Sequence, residues 1–270
     1  MSSKTIIVET AEKSQPNKLS SSDPNHPPSE DTTSSHEDIS LGEFQLFETL
    51  GFGASGSVCR AKCNSDQRVY AIKKIPQYSF QGTNQESVIM NEIDLLKEAR
   101  HPGITEYFGC YLKDVIFHLV LELVDGGTLR EKLDKKVFSE DEARVYALNI
   151  AKALEYLHGK HIIHRDVKLA NVLLTSDDQI KLADFGLAIK VTSGSASGYC
   201  GTKYAQAPEM IRRENYTKSI DWWAFGVMMF EMVTGEKPFK KRMSPFPRSL
   251  IICLFGSSTM LIFFFVFGSW

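Results

Sequence analysis

Eight consecutive residues, His164-Arg165-Asp166-Val167-Lys168-Leu169-Ala170-Asn171, set an acid, a cation and an amide at fixed offsets inside an otherwise apolar stretch. Phosphoryl transfer needs such a set: a carboxylate to accept the proton of the attacking hydroxyl, a cation beside the moving phosphate, and an amide oxygen for a divalent metal. One octapeptide can arise by chance. The reading therefore depends on whether the rest of the chain supplies a phosphate cradle and the other charged parts in a consistent order.

The elements that must position these residues begin near Phe44. Residues 44–50 read as a strand and run into Gly51-Phe52-Gly53-Ala54-Ser55-Gly56-Ser57-Val58. The pattern G-x-G-x-x-G is weak alone, because dinucleotide-binding folds use it where a strand opens into a helix. Here residues 58–63 are strand-like and Asn64-Ser65-Asp66 turns the chain, so the loop belongs to a hairpin. Its glycines let backbone lie over phosphates without side-chain clash. Residues 69–73 form another apolar strand ending in Lys73, and alternation along a strand sends Lys74 to the opposite face. Residues 86–99 are helical, with Val88, Ile89, Ile93 and Leu96 on one face and His101-Pro102-Gly103 as the stop.

Further on, residues 117–124 make a near-continuous apolar strand that ends in Asp125-Gly126-Gly127. Ser139 and Glu142 cap a helix that runs through residues 143–158 to Gly159. Residues 180–183 are a short strand closed by Asp184-Phe185-Gly186, and the stretch 189–206 is rich in Ser, Thr and Gly. Residues 219–235 are apolar all round, as a buried helix must be.

Taken in order, G-x-G-x-x-G-x-V at 51–58, Ala71-Ile72-Lys73, the H-R-D-x-x-x-x-N octapeptide, Asp184-Phe185-Gly186 and Gly201-Thr202-Lys203-Tyr204-Ala205-Gln206-Ala207-Pro208-Glu209 resemble the eukaryotic protein kinase family, serine/threonine type. The resemblance spans residues 44–239, and the Met90-Asn91-Glu92-Ile93 style resembles its NIMA-related and MAP-kinase-kinase-kinase-like branches. It implies an α+β fold of two lobes, β-rich over 44–124 and mostly helical over 125–239, the second lacking its last helices. It also implies an ATP-dependent kinase of intracellular signalling that uses Mg²⁺ and a protein Ser/Thr hydroxyl.

By the same resemblance, Asp166 is the base, Lys168 steadies the γ-phosphate, and Lys73, paired with Glu92, holds the α- and β-phosphates. Asn171 and Asp184 take Mg²⁺. The ATP pocket is built by Leu50, Gly51, Phe52, Gly53, Ala54, Ser55, Gly56, Val58, Ala71, Leu121, Glu122, Val124 and Leu173. His164 and Phe185, beside Gly186, join Leu96 and Tyr107 in an apolar column. Thr202 contacts Asp166 and Lys168, and Asp221 braces the catalytic loop. Arg165 receives an activating phosphate on Thr192, Ser193, Ser195 or Ser197. An arginine that pairs with Glu209 falls beyond the matching region.

Composition bounds the rest. An apolar content of 43% and a net charge of −2 describe a folded globular chain without the basic excess of a nucleic-acid binder. Five scattered cysteines suit reduced thiols in the cytoplasm. Residues 1–43 have the Ser/Pro-rich composition of a disordered leader. After Phe239 the remainder, 240–270, is basic and then uncharged over 249–270, which reads either as a membrane-spanning helix and C-terminal anchor or as a tail that merely replaces the missing helices. A shortened helical lobe also admits a second function, a catalytically weak form that binds nucleotide or a partner.

Overall fold

The computed structural model of the chain describes residues 43–53, 56–77, 85–192 and 194–239. The expectations for the leader up to residue 42, for Ala54, Ser55 and Ser193, and for 240–270 lie outside these residues. Among the described residues no helix is long and apolar enough to cross a membrane.

Five antiparallel strands form one sheet: β1 (Phe44–Gly53), β2 (Gly56–Cys63), β3 (Val69–Pro76), β4 (Tyr107–Lys113) and β5 (Ile116–Glu122), in the order β1-β2-β3-β5-β4. In β2 the buried residues Cys59, Ala61 and Cys63 alternate with half-buried ones, the period that puts one face on the core. Lys73 is buried and Lys74 only half-buried, as alternation requires. Helix α1 (Gln85–Glu98) buries Ile89, Glu92, Ile93 and Leu96, an i, i+3, i+4, i+7 stripe that includes the acid.

Two features of this half differ from the sequence expectation. The strand read over 117–124 stops at Glu122, because Glu122 lies opposite Tyr70 near the start of β3 and the pairing runs out there. Strand β4 has no clear period, and its pairing with β5 slips at Tyr107/Gly109, so it left no sequence signal.

The other half is mainly helical. It holds α2 (Leu129–Lys135), α3 (Glu140–Gly159), α4 (Pro208–Ile211) and α5 (Ser219–Thr234). Capping boxes start α2 at Thr128 with Glu131 and α3 at Ser139 with Glu142. Each satisfies helix N–H groups that would otherwise lack a partner. The seven-residue α2 is too short for periodicity to reveal. Helix α5 buries Phe225, Val227, Met228 and Met232 and ends in the left-handed Gly235. Cutting Phe225 to Ala would cost about 3–5 kcal/mol. Beyond α5, Phe239 stacks on Trp223.

Two small antiparallel pairs complete this half: β6 (Ile162–Ile163) with β9 (Ile189–Lys190), and β7 (Val172–Leu174) with β8 (Ile180–Leu182). The octapeptide 164–171 links β6 to β7, and residues 183–188 link β8 to β9. The two loops therefore lie side by side, joined where the Ala183 N–H donates to the Asn171 carbonyl at 2.8 Å. One apolar core runs through both halves, from Leu96 and Leu119 through Phe185 to Leu154 and Phe225.

Candidate active site

Asp166 is buried and takes four hydrogen bonds on its carboxylate. Oδ1 accepts the Thr202 hydroxyl at 2.7 Å and the Thr202 N–H at 3.0 Å. Oδ2 accepts Lys168 Nζ at 2.5 Å and Asn171 Nδ2 at 3.0 Å. Lys168 also donates to the Thr202 hydroxyl at 3.1 Å. These are residues the family resemblance associates with one another, brought from positions as far apart as 166 and 202.

The loop that carries Asp166 is held from below by Asp221 on α5. The Asp221 carboxylate, 1% exposed, accepts the N–H groups of His164 and Arg165, both at 2.9 Å, and lies 2.8 Å from His158 Nε2. Arg165 sits at φ 64°, a left-handed conformation that costs a non-glycine residue about 1–3 kcal/mol and persists only where its surroundings enforce it. His158 is the third partner of Asp221, a link that nothing in its local sequence signals. The Arg165 guanidinium donates to the Leu187 carbonyl at 2.6 Å and to the Tyr216 hydroxyl at 3.0 Å. Thr192, Ser195 and Ser197 are exposed.

On the other side of the cleft Lys73 Nζ donates to Glu92 Oε1 at 2.7 Å and to Asp184 Oδ1 at 2.8 Å. Burial works against charge on Lys73, but the two carboxylates outweigh it and hold the ammonium above its ordinary range. Burial pushes Glu92 up, with Lys73 opposing. For Asp184, burial is outweighed by Lys73, and its carboxyl lies below the usual range. Asp184 is also left-handed, at φ 65°. A Cβ on Gly186 would stand 3.3 Å from Asp184 Oδ1, 3.4 Å from Lys73 Nζ and 3.5 Å from Glu92 Oε2, so the turn after Asp184 lies against the pair.

His164 lies edge-on to Phe185 at 5.2 Å. Its Nε2 is 3.1 Å from the Ala183 carbonyl and its Nδ1 accepts the Asp166 N–H, which assigns the ring proton to Nε2. Leu96 and Phe185 share the core, with Tyr107 packed against it.

The expected nucleotide pocket is met unevenly. Ala71 is buried opposite Leu121 in the β3–β5 ladder, and Val58 lies opposite Lys73. Residues 126–127 bond to Leu174 on β7, which brings Leu173 alongside the turn after Val124. Val124 has no backbone hydrogen bond among the described residues, whereas the Glu122 N–H donates to the Glu106 carbonyl at 2.8 Å. The Glu122 carboxylate is 2.8 Å from Lys181 Nζ and so ties β5 to β8. Leu50 is exposed and Phe52, 86% exposed, faces solvent at the end of the hairpin.

A Cβ at Gly51 would meet nothing within 4 Å, but at Gly56 it would fall 1.9 Å from the Lys74 carbonyl. Gly56 is thus required by the neighbouring strand, while a side chain at Gly51 would meet open space. Glu209 accepts a bond from the Ser219 hydroxyl at 3.4 Å and has no ion pair among the described residues.

The protein kinase domain model matches residues 44–252. The chain is 35% identical over 200 residues to an Aurora kinase of Dictyostelium discoideum, covering 74% of this chain and 52% of that protein. It is 37% identical over 211 residues to ribosomal protein S6 kinase alpha-3 of Homo sapiens, covering 76% and 28%. With serine/threonine-protein kinase Sgk1 of Xenopus tropicalis the identity is 35% over 213 residues, covering 77% and 51%. None of these three carries a NIMA-related or MAP-kinase-kinase-kinase name. The chain spans at most about half the length of these relatives.

Proposed function

The chain belongs to the protein kinase family, and on that premise we propose that it transfers the γ-phosphoryl group of ATP to serine or threonine hydroxyls of protein substrates. The observation that carries this reading is that both halves of the site are assembled together. Asp166, Lys168 and Thr202 form one bonded set while Lys73 engages Glu92 and Asp184. On this reading residues 44–124 are the nucleotide lobe and 125–239 the acceptor lobe.

The residues present fit Mg²⁺ and ATP. Asn171 spends its amide N–H groups on the Asp166 carbonyl and Oδ2, which leaves its Oδ1 as an acceptor. Asp184, its side chain 41% exposed, leaves Oδ2 without a partner among the described residues. Among those residues no cluster of three or more His, Cys, Asp or Glu could hold a metal. One carboxylate and one amide oxygen are the sparse, hard set that Mg²⁺ uses when substrate phosphates complete its shell. Bound there, the ion and nucleotide would supply the phosphoryl group and neutralise its charge.

The chain's own residues then divide the work. Lys73, kept charged by its two carboxylates, would hold the α- and β-phosphates. Ala71, Leu121, Val58 and Leu173 would face the base, and backbone groups of Glu122 and Val124 would bond its edge. Lys168 is 23% exposed and can leave Asp166 Oδ2 for a phosphoryl oxygen. That opens a position on Oδ2, which keeps its Asn171 bond, to orient the acceptor hydroxyl and take its proton. Thr202 keeps Oδ1 fixed meanwhile. The scattered thiols and the need for ATP suit the cytoplasm.

The test is transfer from Mg²⁺ and γ-labelled ATP to a generic Ser/Thr peptide, by the full chain and by Asp166→Ala. Cooperative melting and nucleotide binding are checked for both. A general base contributes about a hundredfold to ten-thousandfold, so the variant should fall by that much. A folded chain that binds nucleotide but transfers nothing would overturn the enzyme reading.

A further inference from the structure

The Lys73–Glu92 pair exists only if α1 sits in register with the helical half, and the structure shows what holds it there. Asn91 Nδ2 donates to the Ala188 carbonyl at 3.0 Å. One stripe further along α1, Glu98 takes Lys190 Nζ on both carboxylate oxygens, at 2.8 and 2.7 Å. The Glu98 carbonyl also accepts the Tyr156 hydroxyl, at 3.2 Å. Positions seven apart lie two turns apart on the same helix face, so Asn91 and Glu98 meet the segment after Gly186 together. Glu92, next to Asn91, is then turned toward Lys73.

Lys190 is itself fixed. It lies on β9 opposite Ile162 of β6, the strand that leads directly into His164 and Asp166. A continuous path therefore runs from the Asp166 loop through β6, β9, Lys190, Glu98 and α1 to Glu92 and Lys73.

We propose that Lys190, acting with Asn91, is a positioning residue that registers α1 on the first strand after Gly186 and so sets Lys73 for the nucleotide. This rests on the kinase reading for its consequence, but not for its geometry. Lys190 and Glu98 have side chains 41% and 32% exposed, so the pair adds little to global stability. Its effect falls on the placement of α1.

The experiment compares Lys190→Glu, Glu98→Lys and the double exchange in the full chain, with Lys190→Arg as the conservative control. Amide hydrogen exchange of residues 86–98 is read without nucleotide; kcat and KM for ATP and for peptide are read with it. Each single reversal should speed exchange in α1 and lower kcat/KM for ATP about fivefold, the scale of one exposed pair turned repulsive. The KM for peptide and the melting temperature should hardly move. The double exchange and Lys190→Arg should return to within about twofold of the parent. Singles that match the parent in exchange, or a double no better than the worse single, would overturn the proposal. If Lys190→Glu fails to fold, Asn91→Ala decides by the same exchange readout. A parent chain that transfers nothing would count against the kinase reading alone, because α1 exchange still reports the tether.

Discussion

Asp166 draws its donors, Lys168, Asn171 and Thr202, from the helical half alone. Lys73 has one partner on α1 and the other beyond the cleft, on Asp184. The acceptor side is thus finished when the helical half folds, and Asp221 binds its backbone to α5. The nucleotide side is finished only when the two halves are in register. Damage to the first should cost fold and activity together; damage to the second should cost activity with less of the fold.

Asp221→Ala is the strongest test of that contrast. It strips partners from two buried N–H groups and from His158, each loss worth about 1–3 kcal/mol. We expect a fall of about 3 kcal/mol or more in urea unfolding, with phosphoryl transfer lost in parallel. Wild-type stability with lost transfer would break the comparison, because the acceptor loop would then be independent of the fold.

Lys73→Met comes next. Transfer should fall about a hundredfold or more, as it does when one electrostatic donor is removed. The variant also leaves Glu92, whose pKa burial raises, without its cation. Because the folded state holds that proton longer than the unfolded state, stability should decline as pH rises through the elevated pKa and then level off. A decline with rising pH above the ordinary carboxylate range, larger than in the parent, is expected from pH-dependent melting. In the parent, Lys73 is raised and Asp184 lowered. Their contributions should fade only as pH rises through the Lys73 value or falls through the Asp184 value. A flat profile for the variant would show that Glu92 is not held buried once Lys73 is gone.

Phe52→Ala should do least. The side chain is 86% exposed, so stability should stay within about 0.5 kcal/mol. Any change should appear in KM for ATP and not in KM for peptide. A larger stability loss would mean that the hairpin end packs on something in the free chain.

Much of this was legible without coordinates. The hairpin at 51–58, the strand ending in Lys73, the capped helix closed by Gly159 and the buried helix at 219–235 all follow from local chemistry: turn residues, side-chain period and capping boxes. The pairing of Lys73 with Glu92, and of Thr202 with Asp166, was reachable only through family resemblance, since nothing local joins residues so far apart. Strand β4 and helix α2 left no sequence trace, one because its register slips and the other because it is too short to show a period.

The sequence by itself determined which groups could do chemistry and the order in which the elements carry them, because residue type and spacing act over one or two turns of chain. Only the tertiary structure decided that His158 shares Asp221 with the catalytic loop, that Gly56 is demanded by the Lys74 carbonyl, and that Lys190 grips Glu98. Each of these joins residues whose distance in space bears no relation to their separation along the chain, and each is fixed by packing of whole elements against a shared core.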